Sequence, residues 1–176
     1  IDSTFVSYVG KYVTQFEEMT THYTGAKYAV AMVNGTTALQ IALQVAGVRP
    51  GDEVITQPLT FVATANAISH CGALPVFVDV DSDTMGLSPQ NLKDFLLKNY
   101  TIKSDGTYNR LTGKRLASIV PMHTFGFLCR IDDIVEIADS FNVPVVEDSA
   151  ESLGSYYKGR HTGTFGIAGI LSYNGN

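Results

Sequence analysis

Val143-Pro144-Val145-Val146-Glu147-Asp148 is the stretch that decides the fold. Its β-branched, apolar start reads as a strand buried on both faces, as the strands of a parallel sheet are. It ends on two carboxylates, and open α/β sheets bind ligands at the C-terminal edge of their strands. An acidic residue at that edge calls for a partner. Successive side chains of a strand point to opposite faces, so at most one of Glu147 and Asp148 faces any one ligand.

Outward from this stretch the chain repeats one unit: apolar strand, turn, amphipathic helix. Strands are expected over Tyr28–Val33, Glu53–Gln57, Leu74–Val80, Leu116–Pro121, Val143–Glu147 and Gly169–Tyr173. Helices are expected over Phe16–Tyr23, Thr36–Ala46, Thr60–Cys71, Ser88–Lys98 and Ile131–Phe141. Gly25, Gly47 and Gly72 stand where helices stop, and Ser88-Pro89 has the residue types of an N-cap followed by a first helical position. Tyr100–Lys114 is polar and reads as a surface excursion with the makings of a hairpin, and the glycine-rich run 154–166 reads as loop. Alternation of this kind predicts an α/β fold, a three-layer αβα sandwich around a mostly parallel sheet.

The bulk properties fit that class. The 176 residues are 45% hydrophobic with 16 glycines and 6 prolines, an ordinary globular composition. The net charge of −5, with 12 scattered basic residues, gives no support for a nucleic-acid partner. No apolar run approaches the ~18 residues of a membrane span, and none resembles a secretory leader, so a cytoplasmic place of action is expected. Cys71 and Cys129 lack metal or redox spacing and read as buried free thiols, a disulfide being the weaker alternative. His22, His70, His123 and His161 show no ligand spacing either, so no metal is expected.

Several side chains carry chemistry. Thr36 and Thr37 open a helix after Asn34-Gly35, where free N–H groups and the positive dipole end make a seat for phosphate. The plainer alternative is that Thr36 only caps the helix. Ser172, at the end of the last strand, is a further phosphate contact or an ordinary strand-end serine. Asp148 is the stronger case. The ring of pyridoxal phosphate withdraws electrons only while its nitrogen stays protonated, and a buried ionised carboxylate secures that proton by a charge-assisted hydrogen bond. The alternative is an aspartate that caps the turn after it. Phe61, at a helix start, is a ring-stacking candidate or plain core. His123, beyond a strand end, is a second ring contact or a histidine bonded to a carbonyl. Glu151 lies near the ring edge if the chain makes a helical turn from Ser149.

These residues lie in strings that resemble a known family. Asn34-Gly35-Thr36-Thr37-Ala38-Leu39, Thr60-Phe61-Val62-Ala63-Thr64, Glu147-Asp148-Ser149-Ala150-Glu151-Ser152-Leu153-Gly154, Tyr157-Lys158-Gly159-Arg160 and Ser172-Tyr173-Asn174-Gly175-Asn176 resemble, in this order, the sugar-nucleotide aminotransferases of the DegT/DnrJ/EryC1/StrS family. The resemblance implies the large domain of a fold type I pyridoxal-phosphate enzyme. It implies a homodimer with shared active sites that moves an amino group from glutamate to a nucleotide-linked 4-keto-6-deoxy sugar, for surface polysaccharide biosynthesis. Residue by residue, Thr36, Thr37 and Ser172 would hold the phosphate, Phe61 would stack on the ring and Asp148 would pair with its nitrogen. Glu151 stands where many members carry glutamine near the ring hydroxyl.

The family's Schiff-base lysine would fall at position 177, so residues 1–176 are expected to be an incomplete cofactor-binding domain, with a small domain following. A histidine at 177 would instead imply a sugar-nucleotide 3-dehydratase of the same fold. A phosphate-binding α/β domain without covalent chemistry is the reading from a different class. A Rossmann dehydrogenase is set aside because no GxGxxG follows a strand. The wording of Phe5–Lys11 together with Glu151 resembles the branch acting on 4-keto-6-deoxy-N-acetylhexosamine nucleotides.

Overall fold

Period-two alternation along the central strands sorts the apolar residues into two layers, one on each side of a sheet. The computed structural model describes residues 10–173, so Phe5–Val9 and Asn174–Asn176, both used in the sequence comparison, lie outside the described residues. The first half of the chain runs α1 (Lys11–Thr24), α2 (Gly35–Val45), β1 (Glu53–Thr56), α3 (Val62–His70), β2 (Leu74–Phe77) and α4 (Pro89–Asn99). The second half runs β3 (Tyr100–Lys103), β4 (Gly106–Asn109), β5 (Arg115–Val120), α5 (Ile131–Ser140), β6 (Val146–Asp148), β7 (Tyr156–Tyr157), β8 (Arg160–His161) and β9 (Ala168–Ile170).

Val54, Val120 and Val146 face α2 and α3, packing with Leu39, Leu43, Ala67 and Ile68. Their neighbours Ile55, Ile119 and Val145 face the other way, onto Leu92, Leu96, Ile131, Ile134 and Ala138 of α4 and α5. The three-layer αβα sandwich expected from the strand–helix alternation is what forms.

Within the sheet, β1 pairs in parallel with β2 on one side and with β5 on the other. Parallel bridges Ile119–Val145 and Met122–Asp148 bring β6 alongside β5, and β9 follows in parallel, with Asp148 opposite Ile170. The parallel strands thus run β2, β1, β5, β6, β9. After β2 the chain crosses back past β1 to β5, and its return helix α4 lies on the face opposite α3.

Caps follow the residue types. Asn34 Oδ1 accepts from Thr37 N at 2.8 Å at the start of α2, and Ser88 Oγ accepts from Asn91 N at 3.3 Å with Pro89 next to it. α1 stops at Gly25, whose φ of 76° is the left-handed conformation that favours glycine.

Two expectations are corrected. Tyr28–Val33 forms no strand. Tyr28, Val30 and Val33 are 75, 75 and 84% exposed, and its side-chain anchor is Ala31 N donating to Glu17 Oε1 at 2.8 Å. β-propensity alone does not make a strand where no described neighbour completes the hydrogen-bond ladder. The run Tyr100–Lys114 does form a hairpin, β3–β4, but it is no mere excursion, because β4 pairs antiparallel with the start of β5. Within the glycine-rich run, β7 and β8 make a short antiparallel pair.

A buried carboxylate anchors the hairpin. Glu53 Oε2 accepts from Tyr100 Oη at 2.6 Å and Asn109 Nδ2 at 3.0 Å, while Oε1 accepts from Thr112 Oγ1 at 2.8 Å. Burial, and next the Glu53 carboxylate, push the Tyr100 phenol up from its ordinary value, so it stays a donor. Tyr100→Phe removes one of three donors from a buried acceptor. It is expected to cost about 1–3 kcal/mol in urea unfolding, with the secondary structure retained.

Candidate active site

The crossing from β2 back to β5 opens a crevice between the C-terminal ends of β1 and β5, the place where open α/β sheets hold ligands. A cavity of about 140 Å³ lies there. Leu59, Thr60 and Phe61, which follow β1, form one wall, and Met122, Thr124 and Phe125, which follow β5, form the other with Glu151.

Asp148 sits at the same edge. Its backbone N–H donates to Pro121 O at 2.9 Å and its carbonyl accepts from His123 N at 3.1 Å, which locks it in register beside β5. Its side chain turns toward α3, where Thr64 Oγ1 donates to Oδ2 at 2.6 Å, and Ala150 N donates to Oδ1 at 3.3 Å. The residue is 5% exposed, and among the described residues no lysine, arginine or histidine pairs with it. Burial pushes its carboxyl above the ordinary aspartate value, opposed by the Thr64 and Ala150 hydrogen bonds. The turn-capping alternative accounts only for the long Ala150 contact. Among the described residues no cation lies in hydrogen-bonding reach of the carboxylate, and His123 acts on it only through space.

Glu147 points to the opposite face and has a different task. Oε1 accepts from Phe165 N at 2.5 Å and Gly166 N at 2.8 Å; Oε2 accepts from Gly163 N at 2.8 Å and lies 3.2 Å from His123 Nε2. It pins the glycine-rich loop against β6 and β9. The glycines there are sterically required: a Cβ on Gly169 would come within 2.1 Å of Gly163 O, and one on Gly166 within 2.3 Å of Val145 O. His123 belongs to this cluster and not to the cavity. It is fully buried, with Cys129 Sγ 3.5 Å from Nδ1. Neither sequence-based reading of His123, ring contact or carbonyl contact, describes it, because the adjacent Glu147 carboxylate is the stronger acceptor.

The pairing of β6 with β9 places Ser172 just beyond the strand end next to Asp148. A Cβ built on Gly35 would lie 3.4 Å from Ser172 Cβ, so the first turn of α2 abuts Ser172. Because Asn34 caps this helix, Thr36 does not, and the Thr36 and Thr37 hydroxyls make no hydrogen bond among the described residues. The fold therefore brings Thr36, Thr37 and Ser172 to one helix start on the side of the sheet to which Asp148 turns.

Phe61 caps α3 by position and is 63% exposed at the cavity wall, so the core reading does not apply to it. Glu151 lies in the turn after β6, and its Oε2 accepts from Phe125 N at 2.7 Å across the cavity mouth. Thr64 and Phe125 escaped the sequence reading. Thr64 could have been found, since it stands one helical turn from Phe61. Phe125 could not, because its position depends on a left-handed φ of 52°. Cys71 and Cys129 are free and buried, and no group of His, Cys, Asp or Glu among the described residues suits a metal.

The family model of the "DegT/DnrJ/EryC1/StrS aminotransferase family" matches residues 1–176. The chain belongs to this family. It is 39% identical over 176 residues to GDP-perosamine synthase of Caulobacter vibrioides, covering 100% of this chain and 43% of that protein. Among solved structures it superposes on DesI, determined in the presence of its TDP-sugar product, with a TM-score of 0.81 and 31% identity, over 98% of this chain and 40% of that one. It superposes on NtdA of Bacillus subtilis, solved with bound cofactor PMP, with a TM-score of 0.73 and 28% identity, over 88% of this chain and 32% of that one. The chain spans less than half the length of each of these relatives.

A carboxyl raised by folding favours the protonated form, so its contribution to stability is present below the ordinary aspartate range and is lost as pH rises through the raised value. Cofactor-free protein is therefore expected to lose stability with rising pH through that window. Asp148→Asn should remove that slope and gain about 0.5–2 kcal/mol near neutrality, as relief of a functional strain does; denaturant titrations at a series of pH values measure both.

Proposed function

We propose that this chain is the cofactor-binding part of a pyridoxal-phosphate-dependent aminotransferase acting on a nucleotide-linked 4-keto-6-deoxy sugar, with glutamate as amino donor. The observation that carries the reading is Asp148, a buried carboxylate without a cation at the strand edge beside the cavity. The cation it lacks is supplied by a protonated pyridine nitrogen. Membership of an aminotransferase family, and likeness to proteins whose names carry GDP- and TDP-sugars, support the substrate class.

Pyridoxal phosphate, when bound, supplies an electron-withdrawing ring that stabilises the carbanion left when a substrate proton is removed. The protein's part is to seat and polarise that ring. Asp148 keeps the ring nitrogen protonated by a charge-assisted hydrogen bond, while Thr64 Oγ1 fixes the carboxylate from behind. A cation beside the carboxylate would favour its ionised form and oppose the effect of burial. Phe61, exposed at the cavity wall, would offer its ring face for stacking on the cofactor ring. The Thr36 and Thr37 hydroxyls, the N–H groups at the start of α2 that Asn34 does not accept, and Ser172 would take the phosphate dianion. Glu151, at the cavity lining, would stand near the ring, with its carboxylate holding Phe125 N. A lysine at position 177 would move the substrate proton. Paired subunits with shared active sites and a cytoplasmic place of action complete the proposal. No helix among the described residues is long and apolar enough to cross a membrane.

Adding pyridoxal phosphate to the whole protein should produce an absorbance band near ~420 nm, as expected for this cofactor bound through a lysine. Glutamate should discharge the band. Asp148→Asn should keep the fold and lower transamination at least about 10²-fold, the scale seen when one electrostatic stabiliser is removed. An unimpaired variant, or wild-type protein that never develops the band, sinks the reading.

A further inference from the structure

Gln57 is fully buried just beyond β1, and none of the chemistry above uses it. The backbone groups around its amide dictate which end is which. Oε1 accepts from Leu87 N at 2.8 Å and Met122 N at 3.1 Å. Nε2 donates to Leu59 O at 2.9 Å, to Thr124 Oγ1 at 3.0 Å and, more weakly, to Met85 O at 3.4 Å. Thr124 Oγ1 itself lies 3.4 Å from both Leu59 O and Met85 O, so it reinforces the same joint.

One side chain thus ties together three separate loops: the segment after β1, the turn at 85–87 and the segment after β5. Two of these are the opposing walls of the cavity, carrying Phe61 and Phe125. Met85 and Phe125 both hold left-handed backbone, with φ of 58° and 52°. For residues other than glycine that conformation costs roughly 1–3 kcal/mol and persists only where the surroundings over-determine it. Met85 is held by its carbonyl at the Gln57 amide. Phe125 is held between Thr124, bonded to that amide, and the Glu151 carboxylate on its N–H. Leu87 and Met122 sit in isolated bridges, whereas Leu59 O, Thr124 Oγ1 and Met85 O are loop atoms, so strand cohesion does not explain the Nε2 contacts.

We infer that Gln57 is a positioning residue that sets the gap between the Phe61 and Phe125 walls, and hence the seat of the cofactor ring. This rests on the pyridoxal-phosphate reading above and deepens it. No shorter or singly functional side chain can serve both a pair of N–H donors and a group of oxygen acceptors from the same point.

The test uses the whole protein with Gln57→Met, which keeps length but removes both hydrogen-bonding ends, and Thr124→Val, which removes the amide's side-chain partner. Three quantities are measured: the melting temperature without cofactor, the dissociation constant for added pyridoxal phosphate, and the visible circular dichroism per bound cofactor. At a temperature where each variant is fully folded, the dissociation constant should rise between about tenfold and 10²-fold, a loss of about 1.4–2.8 kcal/mol of binding. The visible dichroism should change with it, reporting a reoriented ring. Variants that melt earlier yet bind with unchanged affinity and dichroism would reduce Gln57 to a structural residue and overturn the inference. Should Gln57→Met fail to fold, Thr124→Val decides by the same criteria. Wild-type protein that binds no pyridoxal phosphate would overturn the parent reading and this inference with it, whereas normal wild-type binding matched by both variants overturns the inference alone.

Discussion

Removing a carboxylate from water without giving it a cation is unfavourable, and Asp148 is held in that condition by bonds made elsewhere. Its backbone is locked to Pro121 and His123, so the residue cannot retreat from the strand edge. Its side chain has one short bond, from Thr64 on the helix above. These contacts come from the segment just after β5 and from α3, both distant from Asp148 in the chain. Much of the sandwich can be understood as the frame that keeps this charge in place and in reach of a ligand, which is the arrangement expected of a preorganised site.

The adjacent carboxylate shows how one strand serves two purposes. Alternation sends Glu147 to the opposite face, where three loop N–H groups and His123 satisfy it completely. No stabilising contact is left over for a ligand, and none is needed. Glu147 gains from folding, because the loop it gathers, 163–166, packs against β6 and β9 so tightly that Gly166 and Gly169 leave no room for a Cβ. Asp148, one residue and about 3.3 Å further along the strand, carries the unmet charge.

Around the cavity the determining contacts are again remote ones. The chain after β1 and the chain after β5 face each other because β1 and β5 are parallel neighbours, and Gln57 and Thr124 link them. Glu151 bonds Phe125 N from a third segment. The wall that carries Phe125 is therefore fixed from both sides before any ligand arrives.

By itself the sequence determined what local patterning can determine. The helices at 36–46, 88–98 and 131–141, the strands at 53–57 and 116–121, and the capping at Ser88-Pro89 follow from hydrophobic period and residue type, which act within a few residues. Asp148, Phe61, Thr36, Thr37 and Ser172 could be singled out because motif order along the chain is itself local information. Only the tertiary structure decided where partners come from. Tyr28–Val33 has strand composition yet no described neighbour to complete its ladder. Tyr100–Lys114 joins the sheet through β4. His123 turns to Glu147, and Gln57 and Phe125 acquire their places through loops 26 and more residues away. A hydrogen bond between distant segments depends on register and crossover, and neither is written in the periodicity of either segment alone.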